Sequence, residues 1–401
     1  MTRLGGDAEL SCNFSAVRAR SRNWFGRDQG RTLHRFDPCR NLRLMQTRRE
    51  LLASAAVALF SSLMAGTRVA GAAEGSGARP SPPSAHGVMK PRRLKTGDTV
   101  GLVMPSSAQW NRTATDILLE SLSALGLKGK LGRHVFDRRG YLAGRDEDRA
   151  ADLNAMFADP EVAAIHCIRG GWGAARLLPL LDWAMIAKSP KIVVGYSDIT
   201  ALLLSLHAKT GLVTFHGPNG DSPWNSFNRD WMKRVLWNGE SATFANLKET
   251  DDTLVPVKNR TRTMTKGKAR GRLLGGNLTV LTTIIGSGYL PDFKDCILFL
   301  EDVDEEPYSL DRMFTQLKLA GILRQVKGVV WGTCDKCTPG AGFGSLTIAD
   351  ILDDHITSLG VPAFSGAMIG HVSRQFTLPI GVEVELDADA ATLTMLESAV
   401  V

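Results

Sequence analysis

Three side chains in this 401-residue sequence are of the types needed to cut an acyl bond: Ser197, Glu301 and His371. A serine hydroxyl is a weak nucleophile at its own pKa, so an imidazole must take its proton while a carboxylate fixes the imidazole tautomer. The chain order Ser, Glu, His serves this chemistry on α/β scaffolds. Ser197 falls where the apolar run KIVVGY meets the helical segment DITALLLSLHAK. A hydroxyl there sits on a tight turn, with Gly195 permitting close backbone approach and a positive helix terminus behind any developing oxyanion. The pattern departs from G-x-S-x-G, because Ile199 stands in the last glycine's place. A serine before Asp198 at a helix start also serves as a simple cap. Glu301 and Asp302 end the apolar run CILFL, as acids do both to hold a fixed charge and because a chain has reached water. His371 follows Gly370, and His216 in TFHGP is the other histidine placed to line a site, though single histidines are also purely structural. The turn Arg169-Gly170-Gly171 offers a backbone N–H to an oxyanion, and the N–H of Asp198 offers a second.

These residues need strands to hold them, and the sequence supplies an alternation of short apolar runs with amphipathic segments from Gly97 onward. TVGLVMP, VAAIHCIRGG and KIVVGYS read as strands, separated by helical spacing such as LLESLSALGL. Alternation of this kind predicts a parallel sheet with helices on its faces, and functional groups gather at the carboxyl ends of such strands. Three strand ends carry suggestive residues: Pro105-Ser106-Ser107, Arg169-Gly170-Gly171 and Gly195-Tyr196-Ser197-Asp198. The spacing predicts an α/β domain over 94–238, a polar linker over 239–270, and a β-rich α/β domain over 271–401 that carries Glu301 and His371. Cys167 and Cys296 sit in apolar runs and read as buried thiols. The CDKC pair, Cys334 and Cys337, is half of a zinc site with no second half at suitable spacing, so it reads as a loop or an adventitious disulfide.

The first 73 residues hold 12 arginines against 5 acids, which accounts for the whole formal charge of +7. The remainder is balanced, which gives no electrostatic case for binding nucleic acid. Within the leader, TRRELL (47–52) resembles a twin-arginine export signal. It is followed by an apolar run over 51–65 and by small residues at Ala70 and Ala72. The run is shorter than the ~20 residues of a membrane span, so cleavage near residue 73 leaves no anchor. Residues 45–73 are therefore expected to be the signal, 1–44 an overextended start or unstructured arm, and 74–93 a Gly/Ser/Pro-rich tether.

The ordered blocks GDTVGLVMPSS, GYLAGRDEDRAADLNAMFADPEVAAIHCIRGGWGAARLLPLLDW, PKIVVGYSDITALL, TFHGP, LLGGNLTVL, LFLEDVDEEPYSLDRMFTQLKLAG and GH before LPIGVEVELDA run from about Leu94 to Val400. Through them the chain resembles the LD-carboxypeptidase (muramoyltetrapeptide carboxypeptidase) family of serine peptidases. The resemblance implies a Rossmann-like N-terminal domain with a parallel sheet, a smaller β-rich α/β C-terminal domain, and commonly a homodimer. It also implies a Ser197–His371–Glu301 triad with oxyanion donors at Asp198 and at Gly170 or Gly171, needing no metal or other cofactor. The expected reaction releases the terminal D-Ala from a murein tetrapeptide by cutting its bond to an L-centre, lysine or meso-diaminopimelate. Arg169 is then a candidate clamp for the substrate carboxylate or a brace for its own turn. Trp172 and Asn277 are further candidate contacts, and Arg272 is a weaker one.

Two other readings compete. A relative of the microcin-immunity peptidases would cut a peptidyl or aminoacyl nucleotide amide, with Trp172, Trp224 or Trp231 available to stack a base. An exported binding protein would hold wall peptides without cutting them. The leader points to a periplasmic or exported protein, whereas many of the family act in the cytoplasm.

Overall fold

The computed structural model describes residues 87–249, 252–340 and 344–401. The expected arm, the twin-arginine-like signal and most of the tether lie outside the described residues.

Short apolar runs make the first sheet. Thr99–Val103 (β1), Val162–Cys167 (β3) and Ile192–Gly195 (β4) are buried along nearly their whole length, as strands covered on both faces must be. With Lys128–Leu131 (β2) and Thr214–His216 (β5) they form a parallel set ordered β5-β4-β3-β1-β2. Their carboxyl ends consequently share one edge. The second sheet is built from Thr243–Phe244 (β6), Arg262–Thr265 (β7), Lys268–Asn277 (β8), Ile297–Val303 (β9), Gly328–Asp335 (β10) and Ala363–Ser365 (β11), together with Glu383–Asp387 (β13) and Thr392–Met395 (β14). Its order is β6-β14-β13-β8-β9-β10-β11-β7, with β8 to β11 parallel. This is the expected mixed α/β architecture of two sheet-centred halves.

The linker expectation needs correction. Residues 239–270 supply β6 and β7, which are the two edge strands of the second sheet, and the start of β8. Edge strands are wet on one side, so RTMT carries no apolar alternation to betray it. The halves also exchange chain: Leu378–Ile380 (β12) leaves the second half to pair antiparallel with β5. Residues counted with the tether are docked as well, Met89 against Leu212 and the Arg93 N–H on the Val401 carbonyl.

One helix joins the halves. Thr200–Thr210 (α1 here) is buried on almost every side, so it shows no amphipathic stripe. It packs on β5 from one direction and on β8 from the other. Gly276 makes this approach possible, since a Cβ there would lie 2.6 Å from Thr200 Cγ2, and the Asn277 N–H donates to Thr200 Oγ1 at 3.0 Å. Among the described residues no helix is long and apolar enough to cross a membrane.

Candidate active site

Ser197 starts the helical turn that follows β4, with a φ of +64°. Left-handed backbone costs a non-glycine residue roughly 1–2 kcal/mol, and surrounding structure must hold it there. Two glycines and a side-chain amide do so. A Cβ on Gly170 would lie 2.9 Å from Ser197 Cβ, and one on Gly195 would lie 2.8 Å from Ile199 Cγ2. The Tyr196 N–H donates to Asn219 Oδ1 at 3.0 Å.

Asp198 ties three strand-end loops together. Its Oδ2 accepts from the Ser106 hydroxyl after β1 (2.6 Å) and from the Ala174 N–H after β3 (2.8 Å). Burial pushes its carboxyl above the ordinary range against the pull of these hydrogen bonds. Ser107, beside Ser106, accepts from the Trp172 N–H at 3.1 Å, and a Cβ on Gly171 would collide with its Oγ. Buried Arg149 donates to the carbonyls of Pro105 and Gly173 and bonds Asp146, which closes the same loop cluster from beneath.

The second sheet brings the other two residues. Glu301 lies inside β9 and is fully buried, its Oε2 2.8 Å from His371 Nδ1. His371 Nε2 is 3.2 Å from Ser197 Oγ. With Nδ1–H donating to the carboxylate, Nε2 keeps its lone pair toward the serine hydroxyl. Burial draws the His371 pKa down, but the hydrogen bond and charge of Glu301, with Asp302 and Asp335 nearby, outweigh it and leave the pKa raised. Asp302 is pushed up to about 6, first by burial and then by Glu301 beside it. Tyr196 packs its ring 4.9 Å from the His371 ring. Beneath it His216 lies between Tyr196 and Phe299, and burial pushes its pKa down to about 4. A neutral, buried His216 is a wall of the site rather than an acid or base in it.

The structure therefore brings Ser197, His371 and Glu301 together and sets Gly170, Gly171 and Asp198 around the serine. Arg169 stands at the same edge with Nη1 3.3 Å from Gln109 Oε1 and 3.8 Å from Asp221. Trp172 projects into solvent. Asn277 is different from its expectation as a substrate contact. It is buried, its Oδ1 caps the helix at Leu278–Thr283 by accepting from Val280 N, and its Nδ2 donates to Asp302. Both polar ends are spent, so it braces Asp302. Arg272 is set aside too: it donates to the Asp292 carbonyl and stands five residues up β8, about 16 Å from Asn277 at strand rise. Sequence reasoning missed Gly370, where a Cβ would lie 2.2 Å from Glu301 Oε2, and Asn219. For Gly370 the signal was its place directly before the histidine.

Cys334 and Cys337 are joined in a disulfide, and Cys167 and Cys296 are buried free thiols. Among the described residues, the grouping with metal-ligand geometry is His134, Asp137 and Asp148, whose ligand atoms lie within 4.8 Å of one another. His134 and Asp137 lie in the loop after β2, and Asp148 in the first turn of the helix Asp146–Ala158.

Residues 100–217 match the family described as the LD-carboxypeptidase N-terminal domain, and 270–386 match the LD-carboxypeptidase C-terminal domain. A probable murein peptide carboxypeptidase of Bacillus subtilis is 40% identical over 304 residues, covering 76% of this chain and 93% of its own. A murein tetrapeptide carboxypeptidase of Pseudomonas aeruginosa is 34% identical, covering 72% and 93%. The Microcin C7 self-immunity protein MccF of Escherichia coli is 30% identical, covering 76% and 94%. A solved structure of MccF with glutamyl sulfamoyl guanosine superposes with a TM-score of 0.70 at 29% identity, covering 78% of this chain and 99% of that one.

Proposed function

Because the chain belongs to the LD-carboxypeptidase family and is a serine carboxypeptidase, we propose that it releases the terminal D-Ala of murein tetrapeptides through Ser197, His371 and Glu301. The observation that carries this reading is the unbroken hydrogen-bonded line from Ser197 Oγ through the His371 ring to Glu301. Ser197 Oγ attacks the carbonyl of the L-centre while its proton passes to His371 Nε2. Glu301 fixes the ring and stabilises the imidazolium so formed. The oxyanion is taken by the N–H of Asp198, which lies in a first helical turn and has no intrahelical acceptor, and by the N–H of Gly171. Gly171 is preferred to Gly170 because the Gly170 carbonyl accepts from Ser107, and a trans peptide turns the following N–H the opposite way. Collapse breaks the C–N bond as His371 returns the proton to the amine of D-Ala. Water then attacks the acyl-serine by the same steps reversed, giving the tripeptide carboxylate and free Ser197. Arg169 is held by Gln109 (3.3 Å) and Asp221 (3.8 Å) and so braces its own turn, the second of the two roles open to it.

The test is mass spectrometry of a disaccharide tetrapeptide incubated with the protein and with Ser197→Ala. Loss of one D-Ala with the wild type alone is expected, with a fall of about 10⁴–10⁶-fold in kcat for the variant. No loss with either overturns the reading. A second reading is favoured by the likeness to MccF with its bound sulfamoyl guanosine: cleavage of an aminoacyl nucleotide amide. Turnover of that amide with none of the tetrapeptide would select it. The Arg48-Arg49 pair and the apolar run after it support export by a twin-arginine route, so that the substrate would be met outside the cytoplasm. Cell fractionation checks this, since the protein should stay cytoplasmic when both arginines become lysine.

A further inference from the structure

Three large aromatic side chains around this site are left in solvent: Trp172 is 66% exposed, Trp110 65% and Tyr141 63%. Exposed aromatic groups of this size are costly unless something covers them. They are also not scattered. Trp172 follows β3, Trp110 follows β1 and Tyr141 follows β2, so all three stand at the strand edge that holds Ser197 after β4. The sheet order makes the sequence Ser197, Trp172, Trp110, Tyr141 a row. Neighbouring strands are about 4.8 Å apart, so the row runs about 14 Å outward from the nucleophile. Its loops are stitched together: Ser107 holds the Trp172 N–H, Ser107 bridges Leu142, and Ala108 donates to the Tyr141 carbonyl at 2.9 Å. Arg138 lies over one face of Trp110, 3.2 Å from the ring centroid, leaving the other face open.

We propose that Trp110 and Tyr141 form a platform for the glycan to which the substrate peptide is attached. This rests on the tetrapeptidase reading. The acyl part of that substrate is three residues long, so counting back from Ser197 it spans about 10 Å. With the acyl part laid along this row, the sugar at the far end of the peptide falls over Trp110 and Tyr141. A pyranose matches such a surface. Its C–H face packs on an aromatic ring, while its hydroxyls meet donors at the rim, here the exposed Arg138 and Arg139.

The experiment compares kcat/KM for a disaccharide tetrapeptide with that for the same tetrapeptide lacking sugar, in the full chain. Wild type, Trp110→Ala, Tyr141→Ala and the double variant are assayed alongside Trp110→Phe and Tyr141→Phe. The wild type should favour the glycan-bearing substrate about tenfold or more. Each alanine should shrink that preference about 2- to 10-fold through KM, and phenylalanine should restore most of it. Equal wild-type values for the two substrates, or alanine variants that lose both equally, overturn the platform while leaving the peptidase intact. If neither substrate loses D-Ala, the peptidase reading has failed. Binding of the disaccharide alone, read by tryptophan fluorescence, then decides the platform separately. Alanine variants that lose only an aminoacyl nucleotide amide would assign the surface to a base, and variants that lose only self-association would assign it to a second copy. Either result overturns the proposal.

Discussion

The two halves of the site use close glycine contacts alike but differ in how many hydrogen bonds join them. At the edge of the first sheet, position is set by hydrogen bonds: Asp198 gathers Ser106 and Ala174, Ser107 holds Trp172, and Asn219 holds the backbone entering Ser197. Inside the second sheet, apart from the bond between Glu301 and His371, position is set by excluded volume. Glu301 is wholly buried, Gly332 leaves 3.3 Å for a Cβ beside Glu301 Cβ, and Gly370 leaves 2.2 Å beside Glu301 Oε2. The difference reflects what each half carries. A nucleophile must stay open to substrate at a strand edge, so the loops that carry it are tied from behind by buried polar groups. A carboxylate that orients an imidazole works best away from water, where its charge is little screened.

The sharpest way to break the packed half is a single methyl group. Gly370→Ala puts a Cβ onto Glu301 Oε2 at a φ of +92°, which alanine also resists. The carboxylate or the histidine must then move. A displacement near 1 Å from reacting geometry costs about 100-fold, so kcat should fall by about that factor while the fold persists. Steady-state kinetics with circular dichroism checks it. Retention of full kcat would mean that packing does not set the geometry of Glu301.

The hydrogen-bonded half should respond differently. Asp198→Ala strips an acceptor from the buried Ala174 N–H and from the Gly173 N–H beside it, while the Ser106 hydroxyl is free to turn elsewhere. Each unsatisfied buried donor costs about 1–3 kcal/mol, and urea unfolding should show a loss of at least that size. Asp198→Asn keeps an oxygen available at the place of Oδ2 and should lose less. Equal losses for the two would mean that the negative charge, not the acceptor, organises the loops.

The same contrast explains what was legible in the sequence. β1, β3 and β4 are continuous apolar runs buried on both faces, so the parallel sheet could be read directly, and chemistry at its carboxyl ends followed from topology. The residue types of the triad are those the reaction requires, but each had a structural alternative, and it was the resemblance to the LD-carboxypeptidase family that joined Ser197, Glu301 and His371. What stayed hidden depends on contacts between distant segments. RTMT (262–265) became an edge strand because β11 was there to pair with it. Asn277 looked like a ligand contact beside its glycines, but the cap at Val280 and the carboxylate of Asp302 had already claimed it. Gly370 was marked by its place before His371, but its role showed only when Glu301, 69 positions earlier, was seen against its α-carbon.

The smallest effect is also the one that reads the join between the halves. His371 must be neutral at Nε2 to accept the Ser197 proton, so kcat/KM should fall as pH drops through the His371 pKa. Burial alone would put that midpoint below the ordinary 6.5, but the Glu301 hydrogen bond and charge, aided by Asp302 and Asp335, raise it instead. The acid limb of the wild-type profile should therefore have its midpoint above 6.5. In Glu301→Gln the largest opposing influence is gone while burial remains, so the midpoint should move down, even as kcat falls from loss of orientation. A limb that stays in place in Glu301→Gln would show that some other group titrates there, and that the buried carboxylate sets the angle of the ring without setting its charge.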